Sequence, residues 1–187
     1  FDAIRGNISE IKTLASLCGT QEKNSGNMAV SDTMDVEKIT DKSDHCGKIT
    51  GIDGSGRGVD ADNADTVTEE NLAQHISNAK MLSKKLQTIV AITGAIDLVT
   101  DGSSCYVIRN GNPQMGHVTG AGCQLSGILT AFLAANPENK LQAAAAAVCM
   151  MGYAGELAAE KSGQSGSGTY RVSLMDAVSC MDGDILE

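Results

Sequence analysis

The sequence has no tryptophan, and its aromatic residues together make up 3% of 187 positions. That scarcity removes the stacking platforms on which single-stranded nucleic-acid binders rely. Basic residues are also few: 14 Lys and Arg stand against 23 Asp and Glu, a formal charge of −9. A protein that reads a phosphate backbone needs clustered cations, so nucleic acid is not an expected partner. The six cysteines, Cys18, Cys46, Cys105, Cys123, Cys149 and Cys180, contain no CxxC pair. Without such a pair, and with nothing that suggests a secretory signal, reduced thiols and a cytoplasmic location are expected. The longest apolar stretch, around Leu141 to Met151, is alanine-rich and shorter than the roughly 20 residues of a membrane span. No internal repeat is visible.

What remains is an ordinary globular composition, 42% hydrophobic and 20% charged. The length fits one domain with a real core. Ile8, Ile11, Leu14, Ala15 and Leu17 recur at helical spacing, which predicts a helix over 7–17 with Asn7 or Ser9 as its cap. Residues 19 to 58 are polar, with little periodicity, and read as an insertion or long surface loop. Thr66-Val-Thr-Glu69 has the form of a capping box, and Leu72, Ile76, Ala79, Leu82 and Leu86 follow, so a helix over 67–87 is expected. Its His75 falls on the polar side, where solvation is expected. Ile89-Val-Ala-Ile92 is continuously apolar, as a buried parallel strand is, and ends at Thr93-Gly94. Leu98 to Thr100, a turn at Asp101-Gly102 and Cys105 to Ile108 read as a hairpin. Further helices are expected after the glycines at 120 and 122, over 139–162 and over 169–181. Alternating helices and apolar strands make this an α/β layered fold.

One stretch points to chemistry: Val118-Thr-Gly-Ala-Gly-Cys-Gln-Leu-Ser126. A glycine-rich turn feeding a helix leaves backbone N–H groups without partners and adds the positive end of the helix dipole, so the place favours an anion. Glycine lets a phosphate come close. The GK[ST] of a Walker A loop is missing, and glycine-rich helix starts are also common structural turns. These glycines alone leave a phosphate site and a plain turn both open. His45-Cys46 supplies two metal-ligand types, too few for a zinc site. His117 borders the glycine turn, and Asp60 and Asp101 fit turns.

Six stretches in order carry a resemblance: Ile4-Arg-Gly-Asn-Ile-Ser-Glu-Ile11, Arg57-Gly-Val-Asp60, Val90-Ala-Ile-Thr-Gly94, Val99-Thr-Asp-Gly102, His117-Val-Thr-Gly-Ala-Gly-Cys123 and Gly168-Thr-Tyr-Arg-Val-Ser-Leu-Met-Asp176. The chain resembles the hydroxyethylthiazole kinases of thiamine salvage. The resemblance implies a ribokinase-like three-layer fold, a central, mostly parallel sheet flanked by helices. It implies a single kinase domain over 1–187 with a polar insertion at about 19–56, usually assembled as a homotrimer with sites between subunits. It also implies that Phe1 opens within the domain. The family's first strands, the residues that enclose the thiazole and a further acidic Mg2+ contact would precede it.

Residue by residue, the resemblance places Arg5 and Thr93 against ATP, the co-substrate, and Gly120 against the alcohol. Asn7 and Glu10 match the N-x-x-E pattern that organises Mg2+, and the amides of Gly120, Ala121, Gly122 and Cys123 match an anion hole. Cys123 stands where related sugar kinases carry an Asp general base. Thiols at helix N-termini ionise more readily than the reference of about 8.5, and a thiolate there could accept the proton of a primary hydroxyl. The alternative is that Cys123 fills a small niche at the helix start. The expected activity is ATP-dependent phosphorylation of 4-methyl-5-(2-hydroxyethyl)thiazole. The rival readings are a kinase for another vitamin precursor, such as a hydroxymethylpyrimidine, and an inactive nucleotide-binding fragment.

Overall fold

The computed structural model describes residues 2–19 and 66–182. The expected insertion at 19–56, the Arg57-Gly-Val-Asp60 motif and His45-Cys46 lie, apart from Gly19, outside the described residues. The described chain forms two compact units, residues 2–19 with 66–108, and residues 109–182.

The first unit holds strand β1 (Ala3–Gly6), helix α1 (Ile8–Leu17), helix α2 (Leu72–Leu86) and strands β2 (Ile89–Ile92), β3 (Asp97–Thr100) and β4 (Cys105–Ile108). The strands form one sheet in the order β1-β2-β3-β4. β1 and β2 run parallel, with Gly6 opposite Ile92. The β2–β3 and β3–β4 pairs are antiparallel. An α/β layering is therefore present, with mixed pairing in this part of the sheet.

Side chains alternate across a pleated strand, so Val90, Ile92, Leu98, Thr100, Cys105 and Val107 share one face. That face belongs to a core with Ile8 and Ile11 of α1 and Ile76, Ala79 and Leu82 of α2. β2 is buried at all four positions, as its continuous apolar run leads one to expect. Burial pushes the Cys105 thiol up to about 11, so it packs there as a neutral, small apolar group.

The hairpin turn is fixed twice over. Asp101 Oδ1 accepts from the Ser103 amide and hydroxyl and from the Ser104 amide, each at 2.8 Å. Partial burial works against the charged carboxylate, but these hydrogen bonds outweigh it and hold Asp101 below its ordinary value. Gly102 takes φ +91, and a Cβ there would lie 2.6 Å from Lys84 Cγ, 3.0 Å from Lys84 N and 3.2 Å from Lys80 O. Gly102→Ala combines a left-handed strain with a clash against the backbone of α2. Each costs about 1–3 kcal/mol. An unfolding free energy in urea lowered by about 2–6 kcal/mol is the expected outcome, and an unchanged value would mean that the turn can leave α2 freely.

Two expectations need correction here. Helix α2 begins at Leu72, not 67, because Asn71 rather than Thr66 organises its entry. Asn71 Oδ1 accepts the Thr68 amide at 2.7 Å, and its Nδ2 donates to Thr66 O at 3.0 Å, closing a turn before the helix. His75 is buried rather than solvated, 8% exposed. His75 lies four residues before Ala79 and seven before Leu82, so it shares their buried face.

The second unit is helical. A short 3-10 turn (Pro113–His117) is capped by Asn112 and leads into α3 (Ala121–Ala135), α4 (Lys140–Ser162) and α5 (Ser167–Cys180). α3 buries Leu125, Leu129 and Leu133, one residue per turn. α4 runs to Ser162, beyond the apolar stretch legible at 141–151. By length and composition it is long enough to cross a membrane, but 61% of its most apolar window is buried inside the protein. That burial is the mark of a core helix. Tyr170 is fully buried, and its hydroxyl donates to Gly155 O at 2.9 Å, fastening α5 to α4. Gly111 N donates to Glu156 Oε1 at 2.8 Å and Asn110 Nδ2 to Cys149 O at 2.7 Å, which ties the segment leading to the 3-10 turn to α4.

Candidate functional site

Because β1 and β2 are parallel, their carboxyl ends share one edge of the sheet. β3 runs the other way, so its first residue, Asp97, lies at that same edge. Ligands of α/β sheets bind outside the carboxyl ends of the strands. Asn7 and Glu10 enter there from the start of α1, and Thr93 and Gly94 from the end of β2. Four residues singled out by sequence, Arg5, Asn7, Glu10 and Thr93, are thus gathered on the first unit.

The start of α1 is a complete capping box. Asn7 Oδ1 accepts the Glu10 amide at 2.8 Å, and Glu10 Oε2 accepts the Asn7 amide at 2.8 Å. A cap of this kind is worth about 1 kcal/mol. The box occupies Glu10 Oε2 and one lone pair of Asn7 Oδ1, and leaves Glu10 Oε1 and Asn7 Nδ2 outside it. Mg2+ keeps several waters and takes one or two carboxylates together with substrate phosphates. A single carboxylate oxygen at the strand edge therefore fits that ion. Among the described residues, no three His, Cys, Asp or Glu side chains cluster as a protein-only metal cage.

The Thr93 amide donates to Gly6 O at 2.9 Å and its hydroxyl approaches the same oxygen at 3.5 Å, extending the parallel ladder one step past β2. Arg5 stands opposite Ala91, with its Nε buried and without a hydrogen-bond partner. Asp97 was not singled out by sequence. Its carboxylate accepts the Gly94 amide at 2.7 Å. Burial pushes this carboxyl up to about 7, against the lowering pull of the Gly94 amide and the Arg5 guanidinium. The signal that could have found it is the four-residue step from Thr93 to Asp97 around a glycine turn.

The glycine turn belongs to the second unit. Gly120 caps α3 at φ +94, with open space where a Cβ would project. No side chain caps the helix. The Ala121 amide donates to Val118 O at 3.2 Å and the Gln124 amide to Gly120 O at 3.0 Å. The Gly122 and Cys123 amides are therefore the pair best placed to meet an anion. The Cys123 thiol is exposed on the first turn. His117, at the end of the preceding 3-10 turn, is exposed as well.

Known proteins resemble this chain in sequence and in fold. A model of the hydroxyethylthiazole kinase family matches residues 32–184. A hydroxyethylthiazole kinase of Clostridium acetobutylicum is 40% identical, across 100% of this chain and 56% of that protein. One of Ruminiclostridium cellulolyticum is 37% identical, across 73% of this chain and 48% of that protein. The solved structure of a hydroxyethylthiazole kinase protein from Pyrococcus horikoshii superposes with a TM-score of 0.65 at 23% identity, covering 99% of this chain and 51% of that one. That likeness shows the ribokinase-like fold. The chain spans about half the length of the curated relatives it matches. With a family model matched over most of its residues, and with the motif residues placed at a strand edge and a helix start, the chain belongs to the hydroxyethylthiazole kinase family.

Proposed function

We infer that this chain carries nucleotide and phosphoryl-transfer residues of a kinase that phosphorylates the primary hydroxyl of 4-methyl-5-(2-hydroxyethyl)thiazole with ATP, in thiamine salvage. The observation that carries this reading is the start of α3: an uncapped helix N-terminus behind a left-handed glycine, with an exposed thiol on its first turn. The names of the relatives at 40% and 37% identity support the choice of alcohol. The family model spans residues of both units, which supports reading the chain as one kinase domain.

In this reading Arg5 and Thr93 bind the nucleotide, and Glu10 Oε1 with Asn7 would hold Mg2+. When bound, that ion neutralises charge on the phosphates. Gly120 contacts the alcohol. Cys123, as the thiolate, takes the hydroxyl proton while the alcohol oxygen attacks the γ-phosphorus and the bond to ADP breaks. The Gly120 to Cys123 segment stabilises the charge on the phosphoryl oxygens, chiefly through its Gly122 and Cys123 amides. Assembly as a homotrimer and a cytoplasmic location belong to the same reading. Light scattering tests the first and cell fractionation the second.

The test is an ATP-dependent phosphorylation assay with the thiazole alcohol and a hydroxymethylpyrimidine side by side. Turnover of the thiazole alone is expected. Turnover of the pyrimidine alone would transfer the chain to another vitamin precursor. Nucleotide binding without turnover of either would reduce it to a binding module.

A further inference from the structure

Arg5, Thr93 and Asp97 fall on the same side of the sheet. Arg5 is in register with Ala91, and Ala91 with Val99. Thr93 and Asp97 each lie two positions from that row, on the side of the carboxyl edge, so the two-residue alternation gives them the same face. This face is opposite to the one that packs on α1 and α2. The two ends of the Thr93 turn are fastened differently. Thr93 is bonded to Gly6 of β1, and Gly94 is bonded to the Asp97 carboxylate at 2.7 Å. Arg5 is the charged group facing Asp97. β2 brings apolar residues and is followed by Thr93, and β4 places Ile108 opposite Asp97 and the phenol of Tyr106 on the same face. The buried Arg5 Nε has no partner within the protein, so the guanidinium is not consumed by an internal pairing through that atom.

We propose that Asp97 is a positioning residue for nucleotide binding, holding the Thr93-Gly94 turn through its hydrogen bond and setting the charge that Arg5 offers to a triphosphate. It rests on the reading of Arg5 and Thr93 as the nucleotide contacts. An ionised Asp97 and a bound triphosphate compete for the same guanidinium. A neutral Asp97 removes that competition and keeps the acceptor for Gly94. Nucleotide binding then favours the protonated carboxyl and takes up a proton.

The sign follows from linkage. Burial raises this carboxyl to about 7, and the neighbouring anionic ligand raises it further. Affinity is therefore greatest below that value and falls as pH rises through it. The folded chain also holds the proton more tightly than the unfolded chain. The stability this confers is full below the unfolded value of 3.8 and is lost as pH rises through about 7.

The test is calorimetric titration of the full chain with ATP at saturating Mg2+, from about pH 6 to pH 8, in wild type and three variants. In wild type the dissociation constant should rise by up to about tenfold across that range, with heats that depend on the buffer. Asp97→Asn keeps an oxygen for the Gly94 amide and has no proton to exchange. Its dissociation constant should stay near the low-pH value of wild type, and its buffer dependence should be lost beyond what the nucleotide itself contributes. Asp97→Ala removes the acceptor too and should bind about tenfold more weakly than Asp97→Asn, with the same lack of pH dependence. Arg5→Ala separates the two readings. If binding survives Arg5→Ala unchanged, the nucleotide contacts are wrong and the proposal falls with them. If Arg5→Ala abolishes binding while both Asp97 variants behave as wild type, the proposal alone is overturned. Circular dichroism melts of Asp97→Asn guard against a folding defect, and its midpoint should exceed that of wild type more at pH 8 than at pH 5.

Discussion

Replacing Cys123 by serine should lower kcat by about 10²–10⁴-fold, the usual contribution of a positioned general base, while leaving ATP affinity unchanged. Serine keeps the size of the side chain and a hydroxyl in nearly the same place. It does not keep the thiol that this reading makes the proton acceptor, and the uncapped start of α3 offers no other titratable side chain on its first turn to take the proton. The chain there reads Ala121-Gly-Cys-Gln124, and Cys123 is its one titratable side chain. Steady-state kinetics with the thiazole alcohol, paired with an ATP titration of the same variant, makes the measurement. A serine variant with full turnover would remove the base role and leave Cys123 as an exposed bystander. A variant that lost ATP affinity as well would show that the thiol acts in binding rather than in proton transfer.

Tyr170 carries the second large effect, on stability. Its ring is fully buried and its hydroxyl donates to the carbonyl of Gly155 in α4 at 2.9 Å. Burial pushes the phenol up to about 12, so it remains a donor across the physiological range. Tyr170→Ala leaves a cavity of most of an aromatic side chain and should cost about 3–5 kcal/mol. Tyr170→Phe keeps the packing and loses one buried hydrogen bond, about 1 kcal/mol. Urea unfolding of the two variants separates the terms. Equal losses would mean that the hydrogen bond dominates, and a loss below about 1 kcal/mol for alanine would mean that α5 is not fastened through this ring. The Gly168-Thr-Tyr-Arg motif therefore has a structural content that its resemblance to a family does not disclose: its tyrosine joins two helices of the second unit.

Local pattern was enough wherever a signal repeats or closes on itself within a few residues. Asn7, one of the two caps that the sequence offers for α1, is the one used, and Glu10 closes a capping box with it because both hydrogen bonds lie within one turn. The apolar run Ile89–Ile92 and the Asp101-Gly102 turn fix a buried strand and a hairpin for similar reasons. Where competing local signals stood close together, the sequence misled. Thr66 and Glu69 have the form of a cap, yet Asn71 closes the turn and moves the helix start to Leu72; His75, four residues before the buried Ala79, shares the inward face.

The glycine turn before α3 and the acidic N-x-x-E pattern, with the residue types that a phosphate and a divalent ion require, were legible in the chain itself. So were the order of the elements and the membership of the α/β class. Only the tertiary structure decided that Arg5, Thr93 and Asp97 share one face at one edge, because that depends on a parallel register between β1 and β2 across more than 80 positions of sequence. It alone showed Asp97 buried, bonded to the Gly94 amide and facing Arg5, since a carboxyl is set apart by what surrounds it. Burial raises the Asp97 carboxyl against the opposing pull of the Gly94 amide and the Arg5 guanidinium, and burial is a property of the fold rather than of a residue's sequence neighbours.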